Sequence, residues 1–166
     1  MLQKKTLHQV VLSTGSNLGD RKNYLAKANT LIAQKIGKLL EVSPIYETAA
    51  WGGVTHLPFL NQVILVQTHC TPTQILAHCM TIEKQLDRVR EQRWDSRTMD
   101  IDVLFYDDLV IETPELVVPH PRLHERNFVL LPLNAILPKW QHPILNKNVQ
   151  QLVAECPDQL PAKIIV

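Results

Sequence analysis

The chain has 166 residues, 45% of them apolar and 20% charged, with 17 basic against 16 acidic side chains and a formal net charge of +1. That length and composition fit one folded domain over residues 1–166 with a real core, and they exclude a long disordered segment. The near-neutral balance argues against a dedicated nucleic-acid binder, which carries a basic excess. The three cysteines, Cys70, Cys79 and Cys156, are odd in number and form no C-x-x-C, so buried, reduced thiols are expected rather than disulfides or a zinc site. The apolar run at 10–12 is too short for a signal peptide or a membrane span. A cytoplasmic protein without a membrane partner is the expectation.

Residues 8–14 read as a first strand, rich in valine and leucine, which the glycines of GSNLG at 15–19 break in a tight strand-to-helix turn. A helix follows over 20–36, with Asp20 as cap and Tyr24, Leu25, Ala28, Leu31 and Ile32 at helical spacing, and Gly37 ends it. Residues 39–47 alternate as a second strand. Residues 48–58, holding Gly52, Gly53 and Pro58, form a loop, and 59–68 a third strand. Thr71 and Pro72 start a second helix, predicted to reach about residue 90 through Ile75, Leu76, Cys79, Ile82, Leu86 and Val89. An arginine-rich loop leads to a fourth strand over 99–106. The order β-α-β-β-α-β predicts an α+β, ferredoxin-like fold, an antiparallel sheet with two helices on one face. The proline-rich remainder adds C-terminal satellites: a hairpin near 109–111, short helices from about 127 and over 147–154, and a last strand at 163–166.

The sharpest chemical feature is Asp100-Ile101-Asp102. Residues two apart on a strand share a face at about 6.6 Å. Two carboxylates at that separation repel by about 2.5 kcal/mol at an effective dielectric near 20. On a strand this apolar, such a pair needs a counter-ion, and magnesium sits on one or two carboxylates plus substrate phosphates. The competing reading is a solvated edge face.

Six of the seven arginines lie between residues 88 and 126, four of them at 88, 90, 93 and 97, just before the acidic strand. Guanidinium groups suit bidentate phosphate recognition. A polyphosphate bridged by metal to the two aspartates would need such cations on its other oxygens. Surface ion pairs with Glu83, Asp87 and Glu91 are the plain alternative. GSNLG lacks the Gly-Lys-Ser/Thr ending of a P-loop. His120 and His124 lack the H-E-x-x-H pattern of a zinc helix. His120, between two prolines, fits a phosphate donor in a rigid turn, and the other histidines read as structural.

Taken together, RWDSRTMDIDVL at 93–104 resembles the signature of the 6-hydroxymethyl-7,8-dihydropterin pyrophosphokinase family. GSNLG at 15–19, SPIYET at 43–48, FLNQ at 59–62, Ile82-Glu83 with RVR at 88–90, VPH at 118–120 and RNFVLLP at 126–132 support it in order. The resemblance implies a soluble enzyme of folate biosynthesis. Its reaction would be attack of the pterin hydroxymethyl oxygen on the β-phosphorus of ATP, the co-substrate, with release of AMP. It implies two Mg2+ ions held by Asp100 and Asp102, and Arg88 and Arg97 gripping ATP and the transferred group. Glu83, Trp94, His120 and Arg126 would lie on the ATP side. Asn61 and Phe128 would form the pterin pocket, with Thr48 contributing backbone contacts and Trp51 and Phe59 walling it. A monomer acting on small molecules, without nucleic acid or membrane, is the implied assembly.

The chain departs from the family pattern at Asp95 and Ser96, at Ala49 and Ala50, and at Pro121, which bears on rate and loop motion more than on reaction class. Two other readings remain at this stage. One is a phosphohydrolase using the same aspartates with water as acceptor. The other is an RNA-binding module on the same fold, which aromatic residues at only 5% disfavour.

Overall fold

The structure, a computed structural model, describes residues 5–49, 57–87 and 98–165. The elements run β1 (His8–Ser16), α1 (Arg21–Lys35), β2 (Gly37–Val42), β3 (Tyr46–Thr48), β4 (Phe59–Thr68), α2 (Pro72–Gln85) and β5 (Asp100–Tyr106). After these come the short pair β6 (Ile111–Glu112) and β7 (Val117–Val118), helices α3 (Asn127–Ile136) and α4 (Val149–Glu155), and β8 (Ala162–Ile164). Among the described residues no helix is long and apolar enough to cross a membrane.

The two long apolar strands lie side by side at the centre. β1 pairs with β4 along its whole length, from His8 opposite Thr68 to Ser16 opposite Leu60. The other edge of β1 takes β5. The free edge of β4 is shared: β2 pairs with one half and β3 with the other, and β8 closes the row beside β3. Every pairing is antiparallel, so the predicted β-α-β-β-α-β order is present in its ferredoxin-like arrangement.

Residues 39–47, predicted as one strand, form two. Pro44 has no N–H to give a ladder. The chain turns there on Ser43, whose N–H donates to Val63 O (2.9 Å) and whose Oγ accepts from Val63 N (2.9 Å). Gly37 does not end α1 but opens β2, and a Cβ there would stand 2.1 Å from Gln67 O, so the close approach of two strands requires glycine. Gly15 and Ser16 extend β1 beyond the predicted break. Helix α2 stops at Gln85, short of the predicted end, because Asp87 turns to a positive φ of 62°. The predicted caps Asp20 and Thr71 are in place, accepting from Asn23 N (3.2 Å) and Gln74 N (3.3 Å).

Alternation sorts the strand residues onto two faces. Val10, Leu12, Leu60, Ile64, Val66, Ile101 and Val103 pack under α1 and α2. Val11, Val63, Leu65, Leu104 and Phe105 pack under α3 and α4. The C-terminal satellites therefore form a second helical layer on the opposite face. Each fully buried Leu, Ile, Val or Phe in these layers contributes roughly 1.5–3 kcal/mol. On the α3 face the apolar run ends abruptly along the strands. Beyond it the same face carries Ser13, Gly15, Asn61, Asp100 and Asp102, and α3 begins above this change.

Candidate active site

Strand register brings the polar residues together. Asp102 lies opposite Ser13, and Asp100 opposite Gly15, which in turn lies opposite Asn61. Helix α3 supplies Arg126 and Phe128 from above, and β3 supplies Thr48 from the side. The result is a cleft of about 500 Å3, counting its open part, lined by Ser13, Gly15, Thr48, Ala49, Phe59, Asn61, Asp100, Asp102, Arg126 and Phe128. Both aspartates are half-buried and reach the cleft from one face of β5.

Each wall is fixed by a local cause. Asn61 is 4% exposed, and its Nδ2 donates to Thr48 Oγ1 at 2.8 Å, which leaves the amide oxygen as an acceptor. A Cβ on Gly15 would lie 3.0 Å from that oxygen, so glycine keeps room for it. Arg126 is only 5% exposed, and its guanidinium lies 5.7 Å from the centre of the Phe128 ring. A buried cation facing two carboxylates across a cleft sets up a field suited to an anion that also carries a metal ion.

A second cavity adjoins the first around the β5 edge of the sheet. Its apolar wall includes Leu76, Val103, Leu116 and Val117, and its polar wall Glu83, Asp102 and His120. Asp102 lines both cavities. Glu83, 6% exposed, reaches from α2 to accept the Ile101 N–H at 2.9 Å, the peptide between the two aspartates. His120 Nε2 stands 4.0 Å from Asp102 Oδ2, while its Nδ1 accepts from Arg122 N at 3.2 Å. Burial, and then Arg126, push His120 down to about 4; Asp100 pulls it up, and Arg122 adds a lesser downward push. It is therefore neutral at pH 7, with its proton on the nitrogen facing Asp102.

The residues singled out from sequence thus fall into one region: Thr48, Phe59, Asn61, Asp100, Asp102, Arg126 and Phe128 around the first cavity, and Glu83 and His120 around the second. Trp51, Arg88, Trp94 and Arg97 lie outside the described residues. His124 lies apart, beside Glu125 at 3.8 Å. Ser13 and Gly15 were missed as cleft residues. Ser13 interrupts an apolar run, and that was the available signal.

Among the described residues no cluster of three or more His, Cys, Asp or Glu side chains is placed to hold a metal ion. Two carboxylates alone do not make a zinc or calcium cage. They do fit magnesium, which keeps water and takes substrate phosphate oxygens for the rest of its shell.

Comparison with known proteins bears on the family and the fold. The family model for 7,8-dihydro-6-hydroxymethylpterin-pyrophosphokinase (HPPK) matches residues 11–138. The chain is 39% identical over 149 residues to the 2-amino-4-hydroxy-6-hydroxymethyldihydropteridine pyrophosphokinase of Aquifex aeolicus, covering 88% of this chain and 91% of that one. It is 43% identical over 126 residues to the Bacillus subtilis protein of the same name, covering 75% of each. Among solved structures, wild-type Plasmodium falciparum HPPK-DHPS with pterin and p-hydroxybenzoate aligns with a TM-score of 0.75 at 20% identity, over 92% of this chain and 44% of that chain. The same protein with pteroate gives 0.74 at 17% identity, over 93% and 43%. The chain spans less than half of those solved chains, and the likeness to them is one of fold. The match to more than half of the chain and the closely named relatives of similar length place this protein in the 7,8-dihydro-6-hydroxymethylpterin-pyrophosphokinase family.

Proposed function

We propose that the two adjoining cavities carry out diphosphate transfer from ATP to the hydroxymethyl group of 6-hydroxymethyl-7,8-dihydropterin, with release of AMP, as a step of folate biosynthesis. The observation that supports this most is Asp102. It is a wall of both cavities, so a triphosphate crossing from one to the other passes the Asp100–Asp102 pair. In this reading the whole chain acts as one domain, a cytoplasmic monomer working on small molecules.

The pterin lies in the first cavity. Phe128 and Phe59 offer aromatic faces to its flat ring, and the Asn61 amide oxygen accepts from its N–H edge. The hydrogen bond to Thr48 holds that amide in one orientation before the substrate arrives. The adenosine end of ATP lies against the apolar wall of the second cavity. His120, neutral, donates from Nε2 toward the phosphates without adding charge. Arg126, and Arg88 and Arg97 from the segment outside the described residues, hold phosphate oxygens. Asp100 and Asp102 are the ligands of two magnesium ions, which supply charge neutralisation on the phosphates.

In the transfer, the hydroxymethyl oxygen bonds to the β-phosphorus. The bond from that phosphorus to the oxygen shared with the α-phosphorus breaks, and AMP leaves with that oxygen. The hydroxyl proton passes to solvent. The chain's contribution is in-line placement of the two substrates and fixed charge around the moving group, which is most of what such a reaction needs.

Incubation with ATP, magnesium and the pterin alcohol tests the reading. AMP should form only when the pterin is present; AMP formed without it would point to hydrolysis instead. Asp100→Ala and Asp102→Ala should each lower kcat by roughly 100- to 1,000-fold with the fold intact by circular dichroism. Wild-type turnover in either variant would remove the metal assignment.

A further inference from the structure

Helix α3 begins with an anomaly. Its N-cap position is Arg126, a residue with no acceptor in its side chain, and no side-chain cap bond is made there. The first N–H groups of a helix need acceptors, and Ser, Thr, Asp or Asn at the cap normally provides one. Here the acceptor comes from far along the chain. Asp158 Oδ2 accepts from Asn127 N at 3.0 Å, and its Oδ1 accepts from Leu160 N at 2.9 Å. The Asn127 side chain returns the contact, with Nδ2 donating to Leu160 O at 3.3 Å.

These bonds belong to a strap. The strap leaves α4 at the buried Cys156, crosses the start of α3, and then becomes β8, where Ala162 pairs with Thr48 and Ile164 with Tyr46. One short segment thus grips two walls of the first cavity: the α3 start, which carries Arg126 and Phe128 on either side of Asn127, and the β3 edge, which carries Thr48. The strap lies beyond residue 138, where the match to the family model ends.

We propose that Asp158 is a positioning residue for the pterin cavity. By accepting the first N–H of α3 from outside, it anchors a helix start that has no side-chain cap of its own, while the Arg126 side chain faces the cleft. It also fixes the distance between Phe128 and the β3 wall. The proposal rests on the assignment of the first cavity to the pterin. The second cavity is built from α2, β5, β7 and the turns at 115–116 and 120–121, whereas the strap's pairing and its bonds from Asp158 go to β3 and the α3 start.

The test is titration calorimetry of 6-hydroxymethyl-7,8-dihydropterin, with magnesium and a non-hydrolysable ATP analogue present, and of the analogue with magnesium alone. Asp158→Ala should weaken pterin binding by roughly tenfold, with a clearly smaller loss for the analogue, which reaches this wall only through the phosphates at Arg126. Asp158→Asn, which keeps one acceptor oxygen, should fall between the two proteins. Pterin affinity unchanged in Asp158→Ala would overturn the proposal. So would equal loss of both affinities, which signals general loosening. Should Asp158→Ala not fold, Asp158→Asn carries the same comparison, and loss of pterin affinity alone supports the role. A wild-type protein that does not bind the pterin would overturn the proposed function, and this inference with it. Normal wild-type binding beside an unaffected variant overturns the inference alone.

Discussion

Glu83 lines the second cavity and also shapes the first through the backbone. Its Oε1 accepts the N–H of Ile101, so the helix α2 carboxylate holds the peptide from which Asp100 and Asp102 diverge. That peptide needs an acceptor, which an amide oxygen can also supply. Glu83→Ala leaves a buried N–H without this partner, at a cost of about 1–3 kcal/mol, and lets the two aspartates shift. Glu83→Gln keeps an oxygen at the same reach. Urea denaturation should therefore show Glu83→Ala more destabilised than Glu83→Gln, with turnover following the same order. Equal destabilisation in both would mean that the negative charge itself is what α2 contributes. The sequence gives little warning of this role. The spacing of Glu83 placed it on a helix, and only the tertiary packing brings it to β5. The aspartate pair, by contrast, was legible from period-two alternation alone, because both acids interrupt an otherwise apolar strand.

At the scale of elements, the long strands and both main helices were readable because each carries a sustained apolar period and a recognisable cap. The elements that were misread are those whose bounds depend on a distant partner. The split between β2 and β3 follows from Ser43 exchanging two hydrogen bonds with Val63 across the sheet. The last strand expected at 163–166 is present as β8, but the strap before it depends on Asn127, and nothing local announces that contact or the pairing of β8 with Tyr46–Thr48. Gly37 is another such case. Read as a helix stop, it is in fact the first residue of β2, paired with Thr68 and with no space for a Cβ against Gln67 O. Gly37→Ala must move one backbone away from the other, since neither atom belongs to a flexible side chain. The expected loss is at the upper end for overpacking, about 3 kcal/mol, read as a lower urea midpoint with an unchanged slope. An alanine variant as stable as wild type would mean that β2 can slide on β4 without cost.

For the molecule as a whole, folding buries groups that titrate above neutrality, and this makes an alkaline limit to stability. Cys79 sits at the join between α2 and the sheet, 2% exposed, and burial, with Glu83 and Asp102 nearby, pushes its thiol up to about 12. Tyr106, buried in the same layer with its hydroxyl donating to Cys70 O at 2.8 Å, is also pushed up to about 12, mainly by burial and then by Asp107. The sign follows from proton counts. Above the ordinary thiol range the unfolded chain gives up the Cys79 proton while the folded chain keeps it. The unfolded state then binds fewer protons, and stability falls with pH. The contribution of Cys79 is fully present below pH 9 and is lost as pH rises toward 12. One such group steepens the fall by at most about 1.4 kcal/mol per pH unit. Melting curves between pH 8 and 10.5 should show a falling Tm for the wild type and a shallower fall for Cys79→Ala, even though that variant starts lower because of the cavity it leaves. Parallel curves would mean that the thiol keeps its ordinary acidity in the folded chain, and that the layer between α2 and β5 admits water at the floor of the second cavity.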